Sequence, residues 1–152
     1  MKYPIGIQDF EKIIEDGYVY VDKTDLVYKL ANEGHVYFLS RPRRFGKSLL
    51  ISTLKYYFQG RKDLFKGLAI DKLEKEWAVY PVFHISFGTA NFTKPGTLDD
   101  VIDKYLSDAE NDYQIKTKVK DYGLRFKDIL KAAHKKAGRR AVVLIDEYDK
   151  PL

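Results

Sequence analysis

The chain has 152 residues, with 27 Lys and Arg against 22 Asp and Glu and a formal net charge of +5. A hydrophobic share of 45% and an aromatic share of 14% exclude a disordered chain, and the lack of cysteine excludes a disulfide scaffold. No apolar run approaches the roughly 20 residues of a membrane-spanning helix, and Met1-Lys2-Tyr3-Pro4 carries no apolar signal core, so a cytoplasmic protein with no membrane partner is expected.

In chain order, Val19-Tyr20-Val21 is a short β-prone run, and Asp22 or Thr24 is placed to cap a helix after it. Leu26, Val27, Leu30 and Ala31 share one face of that helix, and Gly34 stands where it ends. Val36-Tyr37-Phe38-Leu39 reads as a buried strand. Ser40 to Phe45 is a polar loop. Lys47 to Phe58 reads as a helix with a broad apolar surface, closed by Gly60. Lys72 to Trp77 has room for one or two helical turns.

Val82 to Phe87 is a second strand, closed by Gly88. Thr97 and Asp100 have the spacing of a capping box. Leu98, Val101, Ile102, Tyr105, Leu106 and Ala109 then follow at helical spacing. Lys116 to Lys120 is a solvated connector. Phe126, Ile129, Leu130 and Ala133 define another amphipathic helix, stopped by Gly138, and Ala141 to Ile145 is the strongest strand signal. Apolar strands separated by helices point to an α/β fold with a mainly parallel sheet, whose ligands sit at the carboxyl ends of the strands.

The segment Ser40-Arg41-Pro42-Arg43-Arg44-Phe45-Gly46-Lys47-Ser48 lies between a strand signal and a helix signal. That is the setting of a phosphate-binding loop of the form G-x-x-x-x-G-K-[ST]. Backbone N–H groups from Arg43 through Leu49 would hold phosphate oxygens, helped by the helix dipole. Gly46 lets the backbone approach without a Cβ. Lys47 would reach the β- and γ-phosphates, and Ser48 would give a hydroxyl to Mg²⁺. Arg41 stands where the pattern has its first glycine.

Roughly 100 residues later, Val142 to Ile145 runs into Asp146-Glu147. A rigid strand ending in two carboxylates supplies what nucleotide hydrolysis needs. Asp146 would bind Mg²⁺, and Glu147 would orient and deprotonate the attacking water. Asp149 reads as the start of the next loop. His84 reads as a core or edge histidine, His35 and His134 have no metal-ligand spacing, and a zinc site is not expected. The aromatic residues could stack on nucleic-acid bases, but core packing is the simpler reading. Two functions stay open: an Mg-ATP-binding module, or a basic nucleic-acid-binding module that uses Arg41, Arg43, Arg44, Arg139 and Arg140 without turnover.

Four stretches together resemble the AAA-ATPase-like family of bacterial predicted ATPases. They are Ile7 to Glu11, Tyr20 to Thr24, Tyr37 to Ser48 and Ile145 to Pro151, and the likeness covers essentially the whole chain. The resemblance accounts for Arg41, since members typically replace the first loop glycine. It implies a three-layer P-loop NTPase sandwich that binds ATP and Mg²⁺ at Gly46, Lys47 and Ser48, with Asp146 and Glu147 as the second motif. It also implies a longer protein, often with a nuclease-like domain that would bring nucleic acid as a partner, and a tendency to form homo-oligomers. The family's sheet has a further strand after the Asp-Glu strand. Only Tyr148 to Leu152 follow Glu147 here, so a piece of a larger domain is expected, one that binds nucleotide without turning it over.

Overall fold

The computed structural model describes residues 1–40, 42, 44–88 and 90–151. The chain divides into two compact units, Met1–Val79 and Tyr80–Leu152.

The first unit is helical among its described residues. It holds α1 (Phe10–Glu15), α2 (Thr24–Glu33), α3 (Lys47–Phe58), a 3-10 turn at Lys62–Phe65 and α4 (Ala69–Leu73). Asp9 caps α1, accepting the Lys12 N–H at 3.0 Å. The same carboxylate accepts the hydroxyl hydrogens of Ser52 at 3.3 Å and Tyr56 at 3.2 Å, both on α3. The Phe10 N–H, an orphan of the first helical turn, donates to Ser52 Oγ at 2.8 Å. One acidic cap therefore fixes α1 against α3. Behind it, the rings of Phe10 and Phe65 are both fully buried and 4.8 Å apart, and Trp77 lies 5.2 Å from Phe65.

Asp22 and Thr24 form a second junction. The Asp22 carboxylate accepts the Thr24 N–H at 2.9 Å, the Thr24 hydroxyl at 2.7 Å and the Ala69 N–H at 2.7 Å. Thr24 Oγ1 in turn accepts the Ile70 N–H at 3.0 Å. Two helix N-termini, those of α2 and α4, are thus satisfied by one side-chain pair. Burial raises the Asp22 pKa, but the hydrogen bonds from Thr24 and Ala69 outweigh it and hold the carboxyl below its ordinary value. Glu74 behaves alike: burial pushes it up, and the Tyr57 hydroxyl with nearby backbone N–H groups brings it lower.

The second unit holds β1 (Val82–Ser86), α5 (Thr97–Asp112), α6 (Tyr122–Ala137) and β2 (Val142–Asp146). β1 and β2 pair in parallel, Val82 opposite Val142 through Ser86 opposite Asp146. A parallel pair needs a long crossover, which α5 and α6 provide. The two helices pack together around Arg125, which is only 8% exposed. Its guanidinium is bidentate on Glu110, at 2.7 and 2.8 Å, and it also bonds Asp103 and Ser107. Strands and helices together make the chain α/β, with a small parallel sheet.

Several sequence expectations need correction. Neither Val19 to Val21 nor Val36 to Leu39 forms a strand. Val36 and Phe38 are 92% and 71% exposed. A buried strand needs neighbours for its N–H and C=O groups, and the first unit has no strand among its described residues. Tyr37 instead folds back over Gly34, where a Cβ would lie 2.9 Å from its ring carbon Cζ. The helical turns expected at Lys72 to Trp77 fall earlier, as α4, whose start is fixed by Asp22 and Thr24. Thr97 is not a cap: Gly96, left-handed at φ 82°, takes that place and Thr97 begins α5.

Two outcomes follow. Depressed carboxyl pKa values mean that the unfolded chain binds more protons in acid. The stabilisation from Asp22 and Glu74 is whole above their unfolded values near ~4 and is lost as pH falls through the folded ones. The urea midpoint should therefore drop between pH 5 and pH 3, and Asp22→Asn should make that drop shallower. In the second unit, Arg125→Leu strands a buried Glu110 and should cost about 3 kcal/mol in urea unfolding. Adding Glu110→Leu should recover much of that loss.

Candidate nucleotide site

The basic candidate residues lie in the loop before α3. Arg41 and Arg43 lie outside the described residues. Arg44 and Gly46 both have left-handed backbones, at φ 67° and 73°. Gly46 is the N-cap of α3, and its carbonyl accepts the Leu50 N–H at 3.0 Å. No side chain among the described residues caps this helix. Lys47, Ser48 and Leu49 form its first turn, where N–H groups precede the intrahelical ladder and the dipole is positive. A Cβ on Gly46 would meet nothing within 4 Å, so glycine is needed there for its φ and not for space. The Lys47 ammonium donates back across the loop to the Pro42 carbonyl at 3.4 Å. Arg44 and Phe45 are exposed, and Lys47, Ser48 and Leu49 are half-buried.

The acidic candidate residues lie at the carboxyl end of β2. Asp146 is its last residue and is half-buried. Its Oδ1 accepts the Glu147 N–H at 2.9 Å. Glu147 turns left-handed, at φ 53°, which sends its side chain back toward the end of β1. There the carboxylate lies against Gly88, with Lys150 Nζ 3.8 Å away. Ser86, opposite Asp146, is held by Tyr105 of α5. The Ser86 N–H donates to the Tyr105 hydroxyl at 3.1 Å, and that hydroxyl donates to the Ser86 carbonyl at 3.2 Å. One phenol thus takes the place of a neighbouring strand at the end of β1.

Of the residues expected from sequence, Arg44 through Leu49 come together at one helix start, and Asp146 with Glu147 at one strand end. Gly88, Tyr105 and Lys150 around Glu147 were not anticipated as site residues. The available signal was Gly88 closing an apolar strand. Arg139 of the nucleic-acid reading stacks over Tyr80, its guanidinium 5.4 Å from the ring centroid. Among the described residues no group of three His, Cys, Asp or Glu side chains could hold a metal ion, and no helix is long and apolar enough to cross a membrane.

A glycine-led helix start bearing Lys-Ser and a strand ending in Asp-Glu match the two sequence motifs expected of a P-loop nucleotide-binding protein. In keeping with that, the family described as "Predicted AAA-ATPase" matches residues 4–152, and the chain belongs to it. Membership implies, in general terms, ATP and Mg²⁺. A protein of Azotobacter chroococcum mcd 1 named "Uncharacterized protein in vnfD 5'region" is 44% identical over 153 aligned positions, covering 99% of this chain. The chain spans 30% of that relative's length. No solved structure matches.

The reading of Gly46 is testable by stability alone. Gly46→Ala should lose about 1 kcal/mol in urea unfolding, from φ strain without a clash, and Gly46→Asn should lose less, because asparagine tolerates the left-handed region.

Proposed function

We propose that the chain is the nucleotide-binding part of an Mg-dependent ATPase. The observation that carries the reading is the left-handed Gly46 at the head of α3, followed directly by Lys47 and Ser48. Such a start presents N–H donors and a positive dipole to an anion. The backbone from Arg43 to Leu49 would hold the phosphates, and Lys47 would neutralise charge on the β- and γ-phosphates as bonds rearrange.

The donor set suits magnesium. Ser48 and Asp146 offer hard oxygen ligands, and Mg²⁺ is commonly held by one or two protein oxygens plus substrate phosphates and water. ATP with its Mg²⁺ supplies a γ-phosphoryl group activated for transfer to water. Glu147, held by its left-handed turn at the end of β2, would align that water and accept its proton. The architecture proposed with this chemistry is a three-layer P-loop sandwich.

Calorimetric titration tests the reading. ATP should bind with Mg²⁺ and much more weakly without it. Lys47→Ala should weaken Mg-ATP at least tenfold, while Glu147→Gln should bind within a few-fold of the parent. Equal ATP affinity in the parent and Lys47→Ala would overturn the reading. Salt-sensitive DNA binding lost on substituting Arg44, Arg139 and Arg140, with no nucleotide binding, would favour the nucleic-acid alternative.

A further inference from the structure

We propose that Gly88 is a positioning residue for Glu147: the bare backbone after β1 is the seat on which the Glu147 carboxylate rests. The inference builds on the reading of Glu147 as the group that activates water. A Cβ built on Gly88 would lie 2.9 Å from Glu147 Cδ and 3.5 Å from Oε1, and closer still to Oε2. The backbone of Gly88 is not left-handed, so its φ does not demand glycine. What demands it is the close approach of this carboxylate.

Both sides of the contact are fixed independently. On one side, the β1–β2 register sets Ser86 against Asp146, and the Phe87 N–H donates to the Asp146 carbonyl at 3.2 Å. The Gly88 N–H donates to Ser86 Oγ at 3.3 Å, and Tyr105 holds Ser86 by both backbone groups. On the other side, Glu147 is turned by its left-handed backbone and bonded to Asp146 Oδ1 through its own N–H. Lys150 lies 3.8 Å from Oε2, the oxygen nearer Gly88, in an ion pair whose partners are 48% and 36% exposed. Such an exposed pair biases the carboxylate without locking it. The bare backbone of Gly88 leaves the room that this position of the carboxylate takes up.

The obstructing atoms are the free end of a flexible side chain, so a methyl group at position 88 pushes the carboxylate aside without breaking the strand pair. Gly88→Ala should therefore keep the parent's melting temperature and its Mg-ATP affinity within about twofold. Misplacing a reacting group by about 1 Å can cost on the order of a hundredfold, so single-turnover hydrolysis should fall by at least tenfold. A readout independent of turnover is the Glu147 side-chain ¹³Cδ resonance, assigned through Glu147→Gln. It should shift in Gly88→Ala while resonances of Val82 and Val142 stay in place. Gly88→Ser should give the same displacement.

A Glu147 resonance unmoved in both variants would overturn the inference. So would a parent that hydrolyses ATP and a Gly88→Ala variant that hydrolyses it equally fast. A displaced resonance leaves the seat standing whether or not the parent hydrolyses ATP, which separates this inference from the reading beneath it.

Discussion

The parallel pairing of β1 with β2 is the interaction on which the placement of Asp146 and Glu147 depends. Five residues on each strand are in register, and the register ends with Ser86 beside Asp146. Because the strands run the same way, their carboxyl ends, Asp146-Glu147 and Phe87-Gly88, emerge together. Slipping the pair by one residue would turn Asp146 to the other face. The crossover that makes the pairing parallel also delivers Tyr105 to the outer edge of β1. Tyr105 satisfies that edge where, among the described residues, the sheet has no third strand to do so.

In the first unit the same office is performed by carboxylates. Asp9 holds α1 to Ser52 and Tyr56 of α3, and α3 is the helix whose start bears Lys47 and Ser48. Asp22 joins the starts of α2 and α4. The stretches Ile7 to Glu11 and Tyr20 to Thr24, which mark the family resemblance, therefore do structural work. They cap helices, and Asp9 also fixes α1 against α3. Only Gly46 to Ser48 and Asp146-Glu147 carry the chemistry proposed for the site.

Elements with local causes were legible in the sequence. α3 spans Lys47 to Phe58 as its apolar periodicity and bounding glycines imply, and α6 stops at Gly138, left-handed at φ 66°. β1 and β2 were legible because each meets the other. Val36 to Leu39 is as apolar as either, yet a strand is a property of two segments, and its own sequence says nothing of the partner. The site residues Lys47, Ser48, Asp146 and Glu147 were visible as motifs. Gly88 was not, since its role comes from a carboxylate 59 positions further on in the chain that turns back over it. Short α1 was missed for a like reason, because Ser52 and Tyr56 hold it from a distant helix.

The central claim is that the glycine-led start of α3 and the carboxylates at the end of β2 serve one Mg-bound nucleotide. Amide ¹H–¹⁵N spectra of the chain titrated with Mg-ATP test it most directly. The account predicts that the amides of Gly46, Lys47 and Ser48 and those of Asp146 and Glu147 shift along a single isotherm, and that omitting Mg²⁺ weakens both responses. Shifts confined to one of the two groups, or two separate isotherms, would contradict it.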